Sequence, residues 1–307
     1  MNDYEQELNL NTKLTKTKKT MRKLILTSAF MLATTFVFAQ DAPAKTSTLE
    51  PKAPQSKFTA AVDVVYPYLW RGLKYRGDKV AVQPYMAYAI TEKLSVGVWA
   101  TTNFSNAADA YNEFDWNIAY QISPVVKVML SDYYWPATKN NTSWERSSYF
   151  DYSEGSAQSL DLSVLFNFSD KGIPLDFQWN TFIGGGDYKD VVSDDGVIVK
   201  KRAFSSYAEI GYTYSIEKVG VNIRPFVGAV VVNGGYYGAD ANGKSGFTFS
   251  NVGVNLAKEI KVSNDYRIPV FVRYTNNDYG IQEIDDDGNL TRTVRNFFSC
   301  GVTFTIK

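Results

Sequence analysis

From Glu113 to Ile122 the chain alternates without a fault. Phe114, Trp116, Ile118, Tyr120 and Ile122 fall on one face, and Glu113, Asp115, Asn117, Ala119 and Gln121 on the other. A period of two is a strand period, and this one places an apolar medium on one side and a polar medium on the other. The pattern recurs along the chain. Phe58, Ala60, Val62, Val64, Tyr66, Tyr68 and Trp70 oppose Thr59, Ala61, Asp63 and Val65; Leu160, Leu162, Val164, Phe166 and Phe168 oppose Ser159, Asp161, Ser163 and Asn167. Leu175, Phe177, Trp179 and Ile183 oppose Asp176, Gln178 and Asn180, and at the end Phe298, Cys300, Val302, Phe304 and Ile306 oppose Phe297, Ser299, Gly301, Thr303 and Thr305. No long stretch sustains a helical period. Twelve strands are expected, at about 58–70, 80–90, 94–104, 113–122, 125–135, 159–168, 175–184, 203–216, 220–232, 246–257, 267–276 and 294–306. The fold class is all-β.

The links between these strands fall into two classes. Even-numbered links are mostly tight: Thr91-Glu92-Lys93, Ser123-Pro124, Ser169 to Pro174, Glu217-Lys218-Val219, and a longer one from Lys258 to Tyr266. Odd-numbered links are long, at 71–79, 105–112, 136–158, 185–202, 233–245 and 277–293. Outer-membrane barrels have this asymmetry, with short periplasmic turns, long external loops and an even strand number. A soluble sandwich has no reason to alternate loop length with strand number. Strand lengths agree, since a tilted strand crosses hydrocarbon in about 9–11 residues. A transmembrane antiparallel up-and-down β-barrel of about 12 strands is therefore expected over residues 58–307.

The segment before it reads as an address. Lys18, Lys19, Arg22 and Lys23 precede an apolar stretch from Leu24 to Phe38, and Val37-Phe38-Ala39 precedes Gln40. That order is a secretory signal peptide over 1–39, cleaved after Ala39. A spanning helix would need about 20 apolar residues. Met21-Arg22-Lys23 resembles a second start, which makes residues 1–20 an over-extended reading frame or a long basic region. Residues 40–57, small, polar and Pro-containing, are expected to be a flexible periplasmic lead-in. The whole chain carries 32 basic and 32 acidic residues; removing six basic and three acidic ones with 1–39 leaves 26 and 29, a net charge of −3.

Composition then removes functions. There is no histidine and one cysteine among 307 residues. Ser-His-Asp and Cys-His machinery, His-ligated zinc and disulfide frameworks are excluded. Barrel hydrolases and proteases that use histidine as general base are excluded with them, so no enzyme activity and no cofactor are expected. The near-neutral charge argues against nucleic acid as a partner. The 19 Phe, 6 Trp and 21 Tyr are an excess. It fits two aromatic belts: Tyr66, Tyr68, Trp70, Tyr133, Tyr134, Trp135 and Tyr274 near the outer strand ends, and Tyr88, Tyr120, Phe168, Tyr212, Tyr214 and Phe304 near the inner ends.

Tyr66-Pro67-Tyr68-Leu69-Trp70-Arg71-Gly72, then Ala81-Val82-Gln83-Pro84, then Leu94-Ser95-Val96-Gly97-Val98-Trp99-Ala100-Thr101-Thr102 follow in that order. This sequence of segments resembles the TorF-type porin family, over about residues 58–136. The resemblance implies an outer-membrane barrel with a pore. The lipid bilayer with its lipopolysaccharide, the barrel-assembly machinery and small hydrophilic solutes are then the expected partners.

If the apolar face meets lipid, the other lines the interior. The expected pore-lining charges are Asp63, Glu113, Asp115, Lys127, Asp161, Asp176, Glu209, Arg224, Arg273 and Arg295. Strands four to eight supply five acids and one lysine; strands nine, eleven and twelve supply three arginines. Closure would set Arg224, Arg273 and Arg295 across from Asp115, Asp161 and Glu209, as opposed walls that tune passage of solutes. The expected function is an outer-membrane channel for passive diffusion of small hydrophilic solutes or ions. The alternative is a structural or adhesive barrel whose charges pair and plug the lumen, with the Tyr-rich segment Trp144 to Tyr152 binding partners. Ser193-Asp194-Asp195-Gly196, Asn242-Gly243 and Asp285-Asp286-Asp287-Gly288-Asn289 lack calcium-loop spacing and read as hairpin tips. Gly184-Gly185-Gly186 reads as a flexible strand end, and Arg71-Gly72 as a turn, with Arg71 at the lipopolysaccharide level or bent into the mouth.

Overall fold

The computed structural model describes residues 57–75, 78–106, 110–136, 148–240, 242–284 and 290–306. The expected signal peptide and nearly all of the lead-in lie outside the described residues, as does the 285–289 tip. The chain enters the sheet at β1 (Phe58–Tyr66) and then makes a small hairpin, β2 (Leu69–Trp70) and β3 (Leu73–Lys74). Antiparallel strands follow in chain order: β4 (Ala81–Ala89), β5 (Leu94–Thr102), β6 (Asn112–Gln121), β7 (Val126–Tyr134), β8 (Gln158–Asn167) and β9 (Leu175–Gly185). A second small hairpin, β10 (Tyr188–Val192) and β11 (Ile198–Arg202), precedes β12 (Ser206–Tyr212) and β13 (Tyr214–Ile216). The wall is completed by β14 (Val221–Val232), β15 (Thr248–Lys261), β16 (Arg267–Ile284) and β17 (Leu290–Ile306).

The sheet closes on itself. β1 pairs with β17 from Ala60↔Ile306 to Tyr66↔Cys300, and β12 bridges β9 to β14. β12 and β13 are successive pieces of one strand interrupted at Thr213, so the thirteen sheet segments make a barrel of twelve strands. Closure leaves no edge with unpaired backbone groups. Side chains sort as the alternation predicts. On β6, Glu113, Asp115, Asn117 and Ala119 are buried inside, while Phe114, Ile118 and Tyr120 are exposed outside. Met86, Leu162, Ile210, Val227, Leu256 and Val272 continue the apolar outer face. At the short-turn end Tyr88, Tyr120, Tyr212, Tyr214 and Phe304 are exposed, in keeping with the expected inner belt.

The other belt is corrected. Tyr68, Trp70, Tyr133 and Trp135 are buried within the barrel rather than displayed around it. The first strand ends at Tyr66, not at 70. Pro67 has no N–H to give the ladder, and beyond it the chain turns inward as the β2–β3 hairpin. The β10–β11 hairpin lay in an expected loop; its exposed, charged strands carry no apolar alternation, and Ser193 to Gly196 form its tip as expected. Gly185 is not a flexible end. A Cβ there would lie 1.9 Å from the Gln158 carbonyl oxygen, so glycine is required by close approach of β8 to β9.

Gly253 has the same role on β15, where a Cβ would lie 1.9 Å from the Tyr274 carbonyl oxygen. Gly253→Ala is expected to cost about 1–3 kcal/mol through overpacking. It should lower the temperature at which the folded, fast-migrating gel band is lost. Gly246→Ala, where nothing lies within 4 Å, should leave that temperature unchanged.

Candidate functional site: the closed interior

Trp70-Arg71-Gly72-Leu73 is a two-residue hairpin turn. Trp70 pairs with Leu73, and Arg71 and Gly72 both have positive φ, 49° and 80°. Primed turns need that conformation at both central positions, and glycine accepts it more readily than arginine. Gly72 is also fixed by space, since a Cβ would fall 1.6 Å from the Ser250 carbonyl oxygen of β15. The hairpin is tied to three wall strands through its backbone. Ser250 Oγ donates to the Arg71 carbonyl at 3.1 Å, Asn277 Nδ2 to the Gly72 carbonyl at 3.1 Å, and Ser299 Oγ to the Pro67 carbonyl at 2.8 Å.

Arg71 then spans the interior. Its Nη2 donates to Asp161 Oδ2 on β8 at 2.7 Å, and its Nη1 to the Tyr237 hydroxyl oxygen at 2.6 Å. Both charged side chains are shut from solvent, at 2% and 0% exposure. In sheet order β8 lies five strands from β1, nearly across the barrel. The guanidinium carbon sits 4.3 Å from the Trp70 ring centroid and 5.4 Å from that of Tyr207, favourable cation–π placements. Around it the rings pack as a plug. Trp70 stacks on Tyr237 at 5.8 Å and 10° and meets Tyr133 edge-on at 5.7 Å, while Phe182 lies 4.1 Å from Tyr236. Tyr237 belongs to the loop after β14, and burial holds its hydroxyl above the ordinary tyrosine range, so it stays protonated.

A second charge group lies toward the short-turn end. Arg224 on β14 donates from Nε to Asp176 Oδ2 at 3.0 Å, from Nη2 to Asp176 Oδ1, and from Nη2 to Glu209 Oε1 at 2.9 Å. Gly211 makes room for it: a Cβ there would meet the guanidinium at 2.3–2.4 Å. Above it Asn251 is a hub. Its Nδ2 donates to Glu209 Oε2 at 2.7 Å and to the Tyr207 hydroxyl at 2.9 Å, while its Oδ1 accepts from Arg273 Nη2 at 2.9 Å and from Thr275 Oγ1. Tyr207 OH donates to Glu209 Oε2, and it occupies the space a Cβ at Gly228 would need. Every donor and acceptor here comes from five neighbouring strands, β9, β12, β14, β15 and β16.

Of the ten expected charges, Glu113, Asp115, Lys127, Asp161, Glu209 and Arg273 are buried inside, and Asp63, Asp176 and Arg224 are half-buried there. Arg295 is exposed, and its Nε donates to the Asp278 carbonyl at 2.8 Å. The expected opposition of walls is corrected as well. Arg224 pairs with Glu209 on the adjacent β12 and reaches across Gly211 to Asp176 on β9, and Arg273 bonds its neighbour Asn251; the cation facing Asp161 is Arg71. Lateral pairs form because cross-strand neighbours lie about 5 Å apart, within reach of one side chain, whereas the lumen is wider. Sequence reasoning also missed Tyr207, Asn251 and Tyr237 as interior anchors. Tyr207 shares the inward parity of Glu209, two residues on, and Asn251 is uncharged and lies on an expected strand, 246–257, without an inward charge. Tyr237 sits in a loop, where periodicity says nothing.

Asp161→Asn should leave the Arg71 guanidinium buried without its counter-charge, a loss of about 3–5 kcal/mol. Arg71→Met with Asp161→Leu should recover most of it, because an apolar pair needs no compensation. Thermal midpoints of the single and double variants give the coupling.

Among the described residues no group of three His, Cys, Asp or Glu side chains is placed to hold a metal ion. A search of curated proteins found no match. Among solved structures, the chain is similar to a Pseudomonas aeruginosa FadL homologue, at 8% identity and a TM-score of 0.33, covering 80% of this chain and 89% of that one. It is similar to Salmonella typhi OmpF in complex with daunomycin, at 9% identity and a TM-score of 0.34, covering 81% and 96%. For Pseudomonas aeruginosa OprD the values are 12%, 0.31, 82% and 67%. A family model described as "Bacterial protein of unknown function (Gcw_chp)" matches residues 49–264, and the chain belongs to that family.

Proposed function

We propose that the protein is an outer-membrane channel for small hydrophilic solutes or ions, closed at its outer end in this conformation by the β2–β3 hairpin. The observation that carries the reading is the relation between wall and plug. The wall presents polar side chains inward along its length, among them Gln83, Thr101, Asn117, Ser131, Ser163, Asn180 and Asn255. It is sealed by a segment that is not part of it and that is held inside through the Arg71–Asp161 ion pair. Gln83, Asp161, Ser163, Asn251 and Thr275 are each 0% exposed, so passage requires the hairpin to move. The apolar outer face supports a membrane setting, the alternation of long and short links supports an outer-membrane barrel, and the TorF-type resemblance of residues 58–136 supports a pore. In this reading residues 1–39 direct export and are removed after Ala39, and lipopolysaccharide surrounds the long-loop end.

The plugged structural or adhesive barrel is the second reading, favoured by how completely aromatic rings fill the outer half. Planar bilayers separate the two. The wild type should open rarely, and Arg71→Ala should raise the open fraction by an order of magnitude or more. Silence of both proteins would leave the structural reading standing. The membrane setting has its own test. Leu162 lies outward at the middle of β8, and Leu162→Arg should cost about 2–4 kcal/mol in urea titrations of the vesicle-inserted barrel.

A further inference from the structure

We propose that the inner wall at β5 and β6 binds a small monovalent organic cation of the ammonium class, held between Glu113 and Asp115. The proposal rests on the channel reading for the ligand's route and deepens it by naming a class of solute.

Glu113 and Asp115 are two residues apart on β6, so both point inward, about 7 Å apart along the strand. Both are buried, and among the described residues neither takes part in an ion pair; Arg71 is engaged with Asp161, Arg224 with Asp176 and Glu209, and Arg273 donates to Asn251. Two buried carboxylates without a cation are costly to keep charged. Tyrosine hydroxyls answer part of this, since Glu113 Oε2 accepts from Tyr111 at 2.7 Å and from Tyr68 at 3.4 Å. A second feature points the same way. Gln83 is fully buried and its Nε2 donates to Thr101 Oγ1 at 3.3 Å, while its Oε1 has no donor. Thr101 is the direct cross-strand partner of Glu113. Asp115 Oδ1 likewise has no donor. Beside the Tyr133 hydroxyl across from Asp115, the unmet atoms of this wall include two acceptors, Gln83 Oε1 and Asp115 Oδ1, which an anion cannot satisfy and a donor-bearing cation can.

The surrounding surface fits that ligand. Trp99 is the cross-strand partner of Asp115, and the Tyr68 ring lies 5.7 Å from Trp99 and 6.0 Å from Tyr111. Aromatic faces beside carboxylates attract ammonium groups through the ring quadrupole. Close packing of these rings limits the ligand to a small one, and among the described residues no third acid joins the pair.

The test is equilibrium binding, which needs no conductance. Methylammonium chloride is titrated into the detergent-solubilised full-length protein at ionic strength held constant with sodium chloride, and tryptophan fluorescence is followed. A saturable change is expected. Glu113→Gln with Asp115→Asn should weaken it at least tenfold, and Asp190→Asn on the external β10–β11 hairpin should not affect it. Gln83→Leu, a milder change, should weaken it several-fold and decides the matter if the double variant fails to give the fast-migrating folded band. An unsaturable or absent response, an equal response in the variants, or an equal response to sodium overturns the proposal, in which case the carboxylates keep their own protons. Binding without conductance would remove the channel reading and leave this site; conductance without binding would do the reverse.

Discussion

Each strand of this protein leaves N–H and C=O groups that must be paired, and the outer face offers them nothing, because it is apolar. Closure of the sheet follows from that single requirement. The β1–β17 ladder joins the two ends of the described chain, and β12 carries the wall from β9 to β14. An open sheet of the same sequence would leave two rows of unpaired backbone groups along its edges. Once the ring is closed, the polar face of every strand has only the inside to go to. Many of the enclosed polar groups then bond one another, as Arg224, Glu209, Tyr207 and Asn251 do, and aromatic rings fill the outer half.

Two devices fill that interior. Glycines at 211 and 228 lower the wall so that Arg224 and Tyr207 can lie flat against it. An inward hairpin fills the rest of the outer half. Its arginine holds a conformation that favours glycine, and it is kept there by a carboxylate, a tyrosine hydroxyl and an aromatic face at once. Removing one partner leaves a charge stranded among rings, so the plug behaves as a unit.

Much of the wall was legible in the sequence. Alternation at 113–122 gave β6 almost to the residue, and the short-turn belt of Tyr88, Tyr120, Tyr212 and Phe304 follows from the same parity. The plug was not legible. Tyr66 to Trp70 continues the alternation of β1, and periodicity alone extends the strand through them; only the missing donor of Pro67 marks the break. The Arg-Gly turn was readable as a turn, but its destination depends on Asp161 and Ser250, 90 and 179 residues further along the chain. Charge pairing failed for a related reason. A strand list gives neighbours around the ring only after the loop hairpins are removed from it, and it does not show that an arginine from outside the wall claims the most buried acid.

The hairpin also orders events in time. It leaves the chain beside the first strand, yet its attachments are Asp161 on β8, Tyr237 after β14, and Ser250, Asn277 and Ser299 on β15, β16 and β17. None of these surfaces exists until the later strands have been laid down. The segment synthesised among the earliest is therefore among the last to dock, since contacts of such sequence separation form only after the intervening chain has been organised. Until then the nascent ring has a hollow centre, and the hairpin seals it from within once the circle is complete.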